Sequence, residues 1–305
     1  MNYRNIIKSR ELRVKILTFL SWIPDSIMLR LQYRLQTGRK LNLKNPKRFT
    51  EKLQVYKLKY RNPDMLRCTD KYEVRSYIEE KGLGEYLIPL IGVYDRVDEI
   101  DFNALPKQFV AKSTDGGGGN QVLVCKDKGT ISETEFKEKL NGWMSARKVK
   151  KQAGREWAYE NEFPRRIIIE ELIGHENCEL YDYKFFCFKG KVGIVYGISD
   201  RKVGQSAQFG VYDKNFNKLE VDRCDERHQE TPLEKPLNYE EMVRIAEKLS
   251  ADFPHVRVDL YNVDGKIYFG ELTFYDGSGY MKFNPDSFDE ELGSMFDIST
   301  FNNTK

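Results

Sequence analysis

Histidine is scarce in this sequence. His175, His228 and His255 are the only three, and they form no evident triad. No serine sits in a G-x-S-x-G elbow, so a nucleophile mechanism is not suggested. The five cysteines (Cys68, Cys125, Cys178, Cys187, Cys224) are odd in number and lack C-x-x-C spacing. That argues against a disulfide framework and a zinc site, and a reducing cytoplasm fits best. The apolar run Ile16 to Ile23 (ILTFLSWI) is too short to span a bilayer, which takes ~20 apolar residues, and no small-residue cleavage site follows it. There is no internal repeat, no low-complexity linker, no Gly-Lys-Ser/Thr of a Walker loop and no D-x-D. Nor is there an excess of one charge: Lys plus Arg is 50 and Asp plus Glu is 47, which gives no nucleic-acid signature.

What is present is a chain of 305 residues, long enough for two or three packed lobes. Residues 1 to about 80 read mostly helical, punctuated at Pro24, Asn45-Pro46 and Asn62-Pro63. The first residues carry Arg4, Lys8, Arg10, Arg13 and Lys15 beside Ile6, Ile7, Val14 and Leu17. This suits either a basic amphipathic helix on an anionic membrane or an ordinary helix with a solvated basic face. KYEVRSYIEE (Lys71 to Glu80) reads as a helix, and strands begin at LIPLIGVY (Leu87 to Tyr94). QFVAKS (Gln108 to Ser113) and QVLVCK (Gln121 to Lys126) form a hairpin around DGGGGN (Asp115 to Asn120). A charged helix follows over Ser132 to Lys150, then a β-branched strand over Arg166 to Ile173. Lys184 to Asp200 is a second hairpin, turning at Lys189-Gly190-Lys191. Asn238 to Phe253 is an amphipathic helix with Asn238 as N-cap and Glu241 three residues on. VRVDLYNVDGKIYFGELT (Val256 to Thr273) is a third hairpin, turning at Asp264-Gly265. Helices followed by antiparallel hairpins predict an α+β fold. The linear division is a helical region 1–68, an α/β part 69–105, a small lobe 106–173 and a large lobe 174–305.

Three constellations carry chemistry. Gly116, Gly117, Gly118 and Gly119 let backbone amides approach a ligand closely, and Lys112 at the strand end can meet the same anion. That combination points to phosphate. On the third hairpin, Arg257 and Asp259 share a face, and the turn brings Glu271 and Thr273 beside them. Two carboxylates without a nearby histidine or cysteine suit a hard cation such as Mg²⁺, although a cross-strand salt bridge of Arg257 is equally compatible. Third, the hydrophobic strand ending in EELI (Glu170, Glu171, Leu172, Ile173) and the following Asp182-Tyr183-Lys184 can frame an adenine and its ribose, although surface acids at a strand end are a common alternative.

The order of these pieces resembles the ATP-grasp ligase superfamily and, within it, the TupA-like family of teichuronopeptide and polysaccharide biosynthesis. Matching stretches are LNLKNPKRFTEKL, DKYEVR, LIPLIGVY, LPKQFVAKS, DYKFFCFKGK and VRVDLYNVDGKIYFGELTFYDGSGY, from about Leu41 to Phe283. The resemblance implies antiparallel sheets sandwiching ATP. It implies that Lys112 contacts the α/β-phosphates and that Asp115 to Asn120 close over the phosphates. It implies that Glu170, Glu171, Leu172 and Ile173 hold adenine and that Asp182, or Glu179, holds the ribose. Lys184 and Arg201 resemble the basic residues near the transferred phosphate, and Arg257 the arginine that stabilises the transition state. Asp259 and Glu271 resemble the carboxylates for one or two Mg²⁺. Thr273 stands where relatives often have Asn. Lys71 also falls in a matching stretch and is a further candidate near the nucleotide.

The implied reaction is carboxylate–amine ligation through an acyl phosphate, with a hexuronic acid of a surface polysaccharide as carboxylate and an amino acid or another amine as partner. FYDGSGY (Phe274 to Tyr280) would face the acceptor and Arg201 to Tyr212 would line the carboxylate pocket. The expected location is the cytoplasm, with peripheral contact at the inner face of the membrane as an option for the N-terminal helix. Two other classes remain open: a glycosyltransferase, against which the missing D-x-D counts, and a nucleotide-binding scaffold without catalysis.

Overall fold

A computed structural model describes residues 19–117, 121–145, 152–160, 162–174, 180–199 and 207–302. Along the chain come α1 (Asp25–Thr37), α2 (Phe49–Lys59), α3 (Pro63–Cys68) and α4 (Val74–Glu80), then β1 (Leu90–Tyr94), β2 (Phe109–Ser113) and β3 (Val122–Cys125). These lead to α5 (Glu133–Met144), β4 (Ile167–Glu170), β5 (Tyr181–Phe188), β6 (Lys191–Ser199) and β7 (Gln208–Asp213). The short strands β8 (Asp222–Arg223) and β9 (Arg227–His228) precede α6 (Tyr239–Ser250), β10 (His255–Val263), β11 (Lys266–Thr273), β12 (Phe283–Asn284) and α7 (Phe288–Met295). The fold is α+β, as expected.

The chain forms two compact units. One gathers Met1–Pro63, Val149–Glu160 and Glu179–Lys305, the other Asp64–Lys148 and Asn161–Cys178. This grouping differs from the linear four-part division. The leading helices join the C-terminal sheet because α2 packs against α7. The stretch 69–105 joins the small lobe because β1 pairs antiparallel with β4.

In the second unit the sheet runs β1-β4-β2-β3. Phe109, Ala111, Leu123, Ile167 and Ile169 pack with Phe136 and Leu140 of α5. Ser132 caps α5, its hydroxyl accepting the Glu135 amide while the Glu135 carboxylate returns to Ser132. The strand expected over Arg166 to Ile173 stops at Glu170. Its partner β1 begins at Leu90, opposite Glu170, so beyond one amide bond from Glu171 to Pro89 the pairing has nothing to continue along.

In the first unit the sheet runs β11-β10-β5-β6-β7-β9, antiparallel except for β7–β9. Both hairpin turns form as predicted. Lys189 and Gly190 have φ of 47° and 72°, and Asp264 and Gly265 have 51° and 86°, the paired left-handed residues of a two-residue turn. Met242, Ile245, Ala246 and Leu249 of α6 are fully buried against the sheet. Asn238 does not cap α6 with its side chain. It is left-handed (φ 60°), and its amide donates instead to the Gly265 carbonyl at 2.7 Å.

Candidate active site

The hairpin β10–β11 and its neighbour β5 set up the site through their register. Asp259 lies opposite Lys184 on β5 and opposite Glu271 on β11, so three charged residues form one row across three strands. Arg257, two residues back on the same face, lies opposite Thr273. Beside this row the β10–β11 pairing carries a bulge that leaves Gly270 unpaired. A Cβ at Gly270 would stand 3.0 Å from the Asp259 carbonyl oxygen, a tight contact that glycine avoids.

Arg257 binds Asp259 with both arms: Nε to Oδ1 at 2.7 Å and Nη2 to Oδ2 at 2.7 Å. The same Nη2 donates to Glu271 Oε1 at 2.9 Å and Thr273 Oγ1 at 3.0 Å, and Nη1 donates to Asp276 Oδ1. Lys184 Nζ lies 2.5 Å from Asp259 Oδ2 and 2.9 Å from Asp182 Oδ2. Arg257, Lys184, Asp259, Asp182 and Asp276 are all buried. Burial alone would push Lys184 down, but Asp259 and then Asp182 outweigh it and hold the ammonium above the ordinary lysine range. Burial would likewise raise Asp259, but Arg257 and Lys184 hold its carboxyl below the usual carboxylate range. The salt-bridge alternative is therefore realised, and with charge-assisted bonds on both carboxylates.

A magnesium site is compatible with the same residues. Asp259, Glu271 and Thr273 offer oxygen donors only, which is the chemistry a hard cation takes. Among the described residues no group of three or more His, Cys, Asp or Glu is placed to hold a metal. Two carboxylates facing each other across a strand pair are an incomplete shell, of the kind Mg²⁺ completes with phosphate oxygens and water. The Thr273 hydroxyl lies 3.2 Å from Glu271 Oε1, so it supports that carboxylate directly.

In the second unit Lys112 projects from the end of β2, and its Nζ lies 2.6 Å from Glu170 Oε2 on β4. Arg75 Nη1 reaches the other Glu170 oxygen at 3.3 Å. Glu170 is buried between two cations, which orients Lys112. Glu171 is exposed and Leu172 and Ile173 are half-buried, and the Glu171 amide donates to the Pro89 carbonyl at 3.0 Å. The entry to the glycine turn is anchored. Arg165 grips both Asp115 oxygens at 2.8 and 2.9 Å, and Lys71 Nζ donates to the Gly116 carbonyl. Neither Gly116 nor Gly117 is left-handed. Gly116 is glycine for space, since a Cβ would meet Gln121 Cβ at 2.8 Å, whereas Gly117 faces open space.

Gly118, Gly119, Asn120, Glu179 and Arg201 lie outside the described residues, as do Arg4 to Leu17, where a basic N-terminal helix was expected, and the first part of Arg201 to Tyr212. Asp182, expected at the ribose, has its carboxylate on Lys184. Two residues went unnoticed in the sequence. Asp276 joins Arg257 to Arg223, whose Nη1 lies 3.1 Å from Asp276 Oδ2 and whose Nε lies 2.9 Å from Asp225. Asp276 sat within the FYDGSGY match, but nothing in the spacing marked Arg223.

The model of the TupA-like ATP-grasp family matches residues 51–297, and the chain belongs to that family. Its class is accordingly that of the ATP-grasp ligases. No curated protein sequence matches the chain. Among solved structures, similarity is found to a D-alanine–D-alanine ligase from Helicobacter pylori, at 16% identity and a TM-score of 0.45, covering 81% of this chain and 69% of that one. An L-amino acid ligase from Bacillus licheniformis gives 15% and 0.42, covering 72% and 44%. The ATP-grasp ligase PsnB, complexed with minimal precursor, Mg and ADP, gives 12% and 0.38, covering 77% and 61%.

Proposed function

We propose that this chain joins a carboxylate to an amine at the expense of ATP, through an acyl phosphate, and that the carboxylate is a hexuronic acid unit of a surface polysaccharide. The amine is an amino acid or amino alcohol. The observation that carries the reading is the row Lys184–Asp259–Glu271 with Arg257 locked beside it, in a chain of the TupA-like ATP-grasp family.

Phosphoryl transfer asks for positioning and charge neutralisation more than for covalent catalysis. Lys112 and the amides of the glycine turn neutralise phosphates, with Glu170 aiming Lys112. Residues 170–173 take the adenine, and Asp182 or Glu179 the ribose. Asp259 and Glu271, with Thr273 at the margin, would hold Mg²⁺ (one ion or two), which would supply neutralisation of phosphate charge. Arg257 and Lys184, held beside Asp259, present their positive charge to the transferred phosphate, with Arg201 as a third cation. The substrate carboxylate oxygen attacks the γ-phosphorus and ADP leaves. The amine nitrogen then attacks the acyl carbon, phosphate leaves, and an amide remains. Such a reaction belongs in the cytoplasm, where ATP and saccharide precursors meet. Family membership sets aside the glycosyltransferase alternative. The scaffold alternative is distinguished by turnover.

The test is ADP release from Mg-ATP with mixtures of uronic acids and amines, alongside calorimetric ATP binding. Release that requires both an acid and an amine is the expected result. ATP binding without release for any acid–amine pair would leave a scaffold, and neither binding nor release would sink the reading.

A further inference from the structure

Among the described residues eight large apolar side chains are exposed, and five of them fall between positions 19 and 35: Phe19, Trp22, Ile27, Leu31 and Leu35. Phe19 and Trp22 are 79% and 76% exposed. Ile27, Leu31 and Leu35 are spaced by four, so they form one row along α1, with Arg30 and Arg34 in the adjacent row. Together these five residues make up the outward face of α1, and it carries no acid. The inward face, Met28, Leu29 and Tyr33, is buried.

The face is held firmly. The Gln32 amide donates to the Ala153 carbonyl at 2.8 Å, and the Tyr280 hydroxyl donates to Gln32 Oε1 at 2.8 Å. Arg155 donates to the Leu20 and Ser21 carbonyls at 2.8 and 3.2 Å, fixing the turn that presents Trp22. Beside the apolar row lies an open groove of about 390 Å³ lined by Arg30, Arg34, Lys40 and Leu41. No acid pairs with Arg30, Arg34 or Lys40 among the described residues. Arg30 Nη1 donates to the Leu41 carbonyl at 3.2 Å, and its charge, like those of Arg34 and Lys40, is met by no described acid. Large apolar side chains led by an exposed Trp, with such cations alongside, are the chemistry of a bilayer interface carrying anionic headgroups.

We infer that the outward face of α1 docks this protein on an anionic phospholipid bilayer, with Trp22, Ile27, Leu31 and Leu35 at the acyl boundary and Arg30, Arg34 and Lys40 on headgroup phosphates. The surface is independent of the ligase reading, because vesicle binding is measured without nucleotide or substrate.

The experiment is flotation of the full chain with phosphatidylcholine vesicles, with and without 30 mol% (about a third) phosphatidylglycerol, at low and high salt. Wild type floats with the anionic vesicles only, and less at high salt. Arg34→Glu with Lys40→Glu weakens partitioning at least about 25-fold, from roughly fivefold per basic residue. Leu31→Asp with Leu35→Asp abolishes flotation, and both variants keep the wild-type melting temperature because all four positions are exposed. Should a variant melt early, the wild-type tryptophan emission decides: it shifts to the blue on adding anionic vesicles, and Trp22→Phe removes the shift. The inference is overturned if wild type does not float, if the variants float as wild type does, or if millimolar inorganic phosphate displaces the protein from vesicles. It is equally overturned if the apolar row drives dimerisation that Leu31→Asp with Leu35→Asp abolishes, without vesicle binding.

Discussion

Asp259 is the most constrained residue of the site. Its two oxygens receive Nε and Nη2 of Arg257 and Nζ of Lys184, all away from solvent. A carboxylate held between two buried cations cannot be neutralised without cost, because the remaining charges keep their desolvation penalty. Glu271 differs: its side chain is 55% exposed and shares only one Arg257 arm. The two carboxylates should therefore separate in mutagenesis. Asp259→Asn is expected to abolish ADP release and to destabilise the fold by about 3 kcal/mol. Glu271→Gln should abolish release with stability within about 1 kcal/mol of wild type. Urea midpoints beside the ADP assay check this. Equal stability losses in both variants would show that Asp259 is not the electrostatic keystone drawn above.

At the scale of elements, the glycine turn illustrates what sequence could and could not say. The hairpin was legible because QFVAKS and QVLVCK alternate around a cluster of glycines, and β2 and β3 do pair there. What each glycine does was not legible. Gly116 is glycine because Gln121 crowds it, while Gly117 has nothing within 4 Å of where a Cβ would stand. Gly117→Val should thus leave the melting temperature nearly unchanged and weaken ATP binding. Gly116→Val should lower the melting temperature through collision with Gln121, an effect of about 1–3 kcal/mol for overpacking. Scanning calorimetry with ATP titration of both variants tests the distinction, and a large thermal loss in Gly117→Val would assign that glycine to the fold. The same contrast holds elsewhere. The Asp264-Gly265 turn was legible and brought Glu271 into the neighbourhood of Asp259, but regular pairing from that turn would set Gly270 opposite Asp259, and the bulge that puts Glu271 there instead was not legible. The anchoring of α2 could not. Its buried Gln54 and Lys57 donate to the Gly279 and Ser278 carbonyls, contacts more than 200 positions apart that no local pattern encodes. Arg223 escaped for that reason too, since only the meeting of β8 with the loop after β11 gives it Asp276.

At the scale of the whole molecule, the first unit is closed around His255, which has no exposed surface and whose ring centroid lies 5.0, 4.9 and 5.1 Å from those of Phe49, Phe188 and Phe296. Its Nδ1–H donates to the Cys187 carbonyl at 3.0 Å, which fixes the neutral tautomer. Burial pushes its pKa down from 6.5 to about 3, against the opposing pull of that hydrogen bond. The consequence for stability has a definite sign. Below pH 6.5 the unfolded chain binds a proton at His255 that the folded chain refuses until about pH 3, so stability falls as pH is lowered through that window. Between pH 7 and pH 5 the loss from this one group is about 2 kcal/mol, and most carboxylates are still ionised there. His255→Phe keeps an aromatic ring in the cluster and removes the proton uptake. It should be less stable than wild type at pH 7, having lost the Cys187 bond, yet lose less stability than wild type on going to pH 5. Urea unfolding at both pH values measures the difference of the two slopes. Parallel pH dependence in the two proteins would mean that the ring is protonated in the folded state, and so that the aromatic core admits water or a counter-charge.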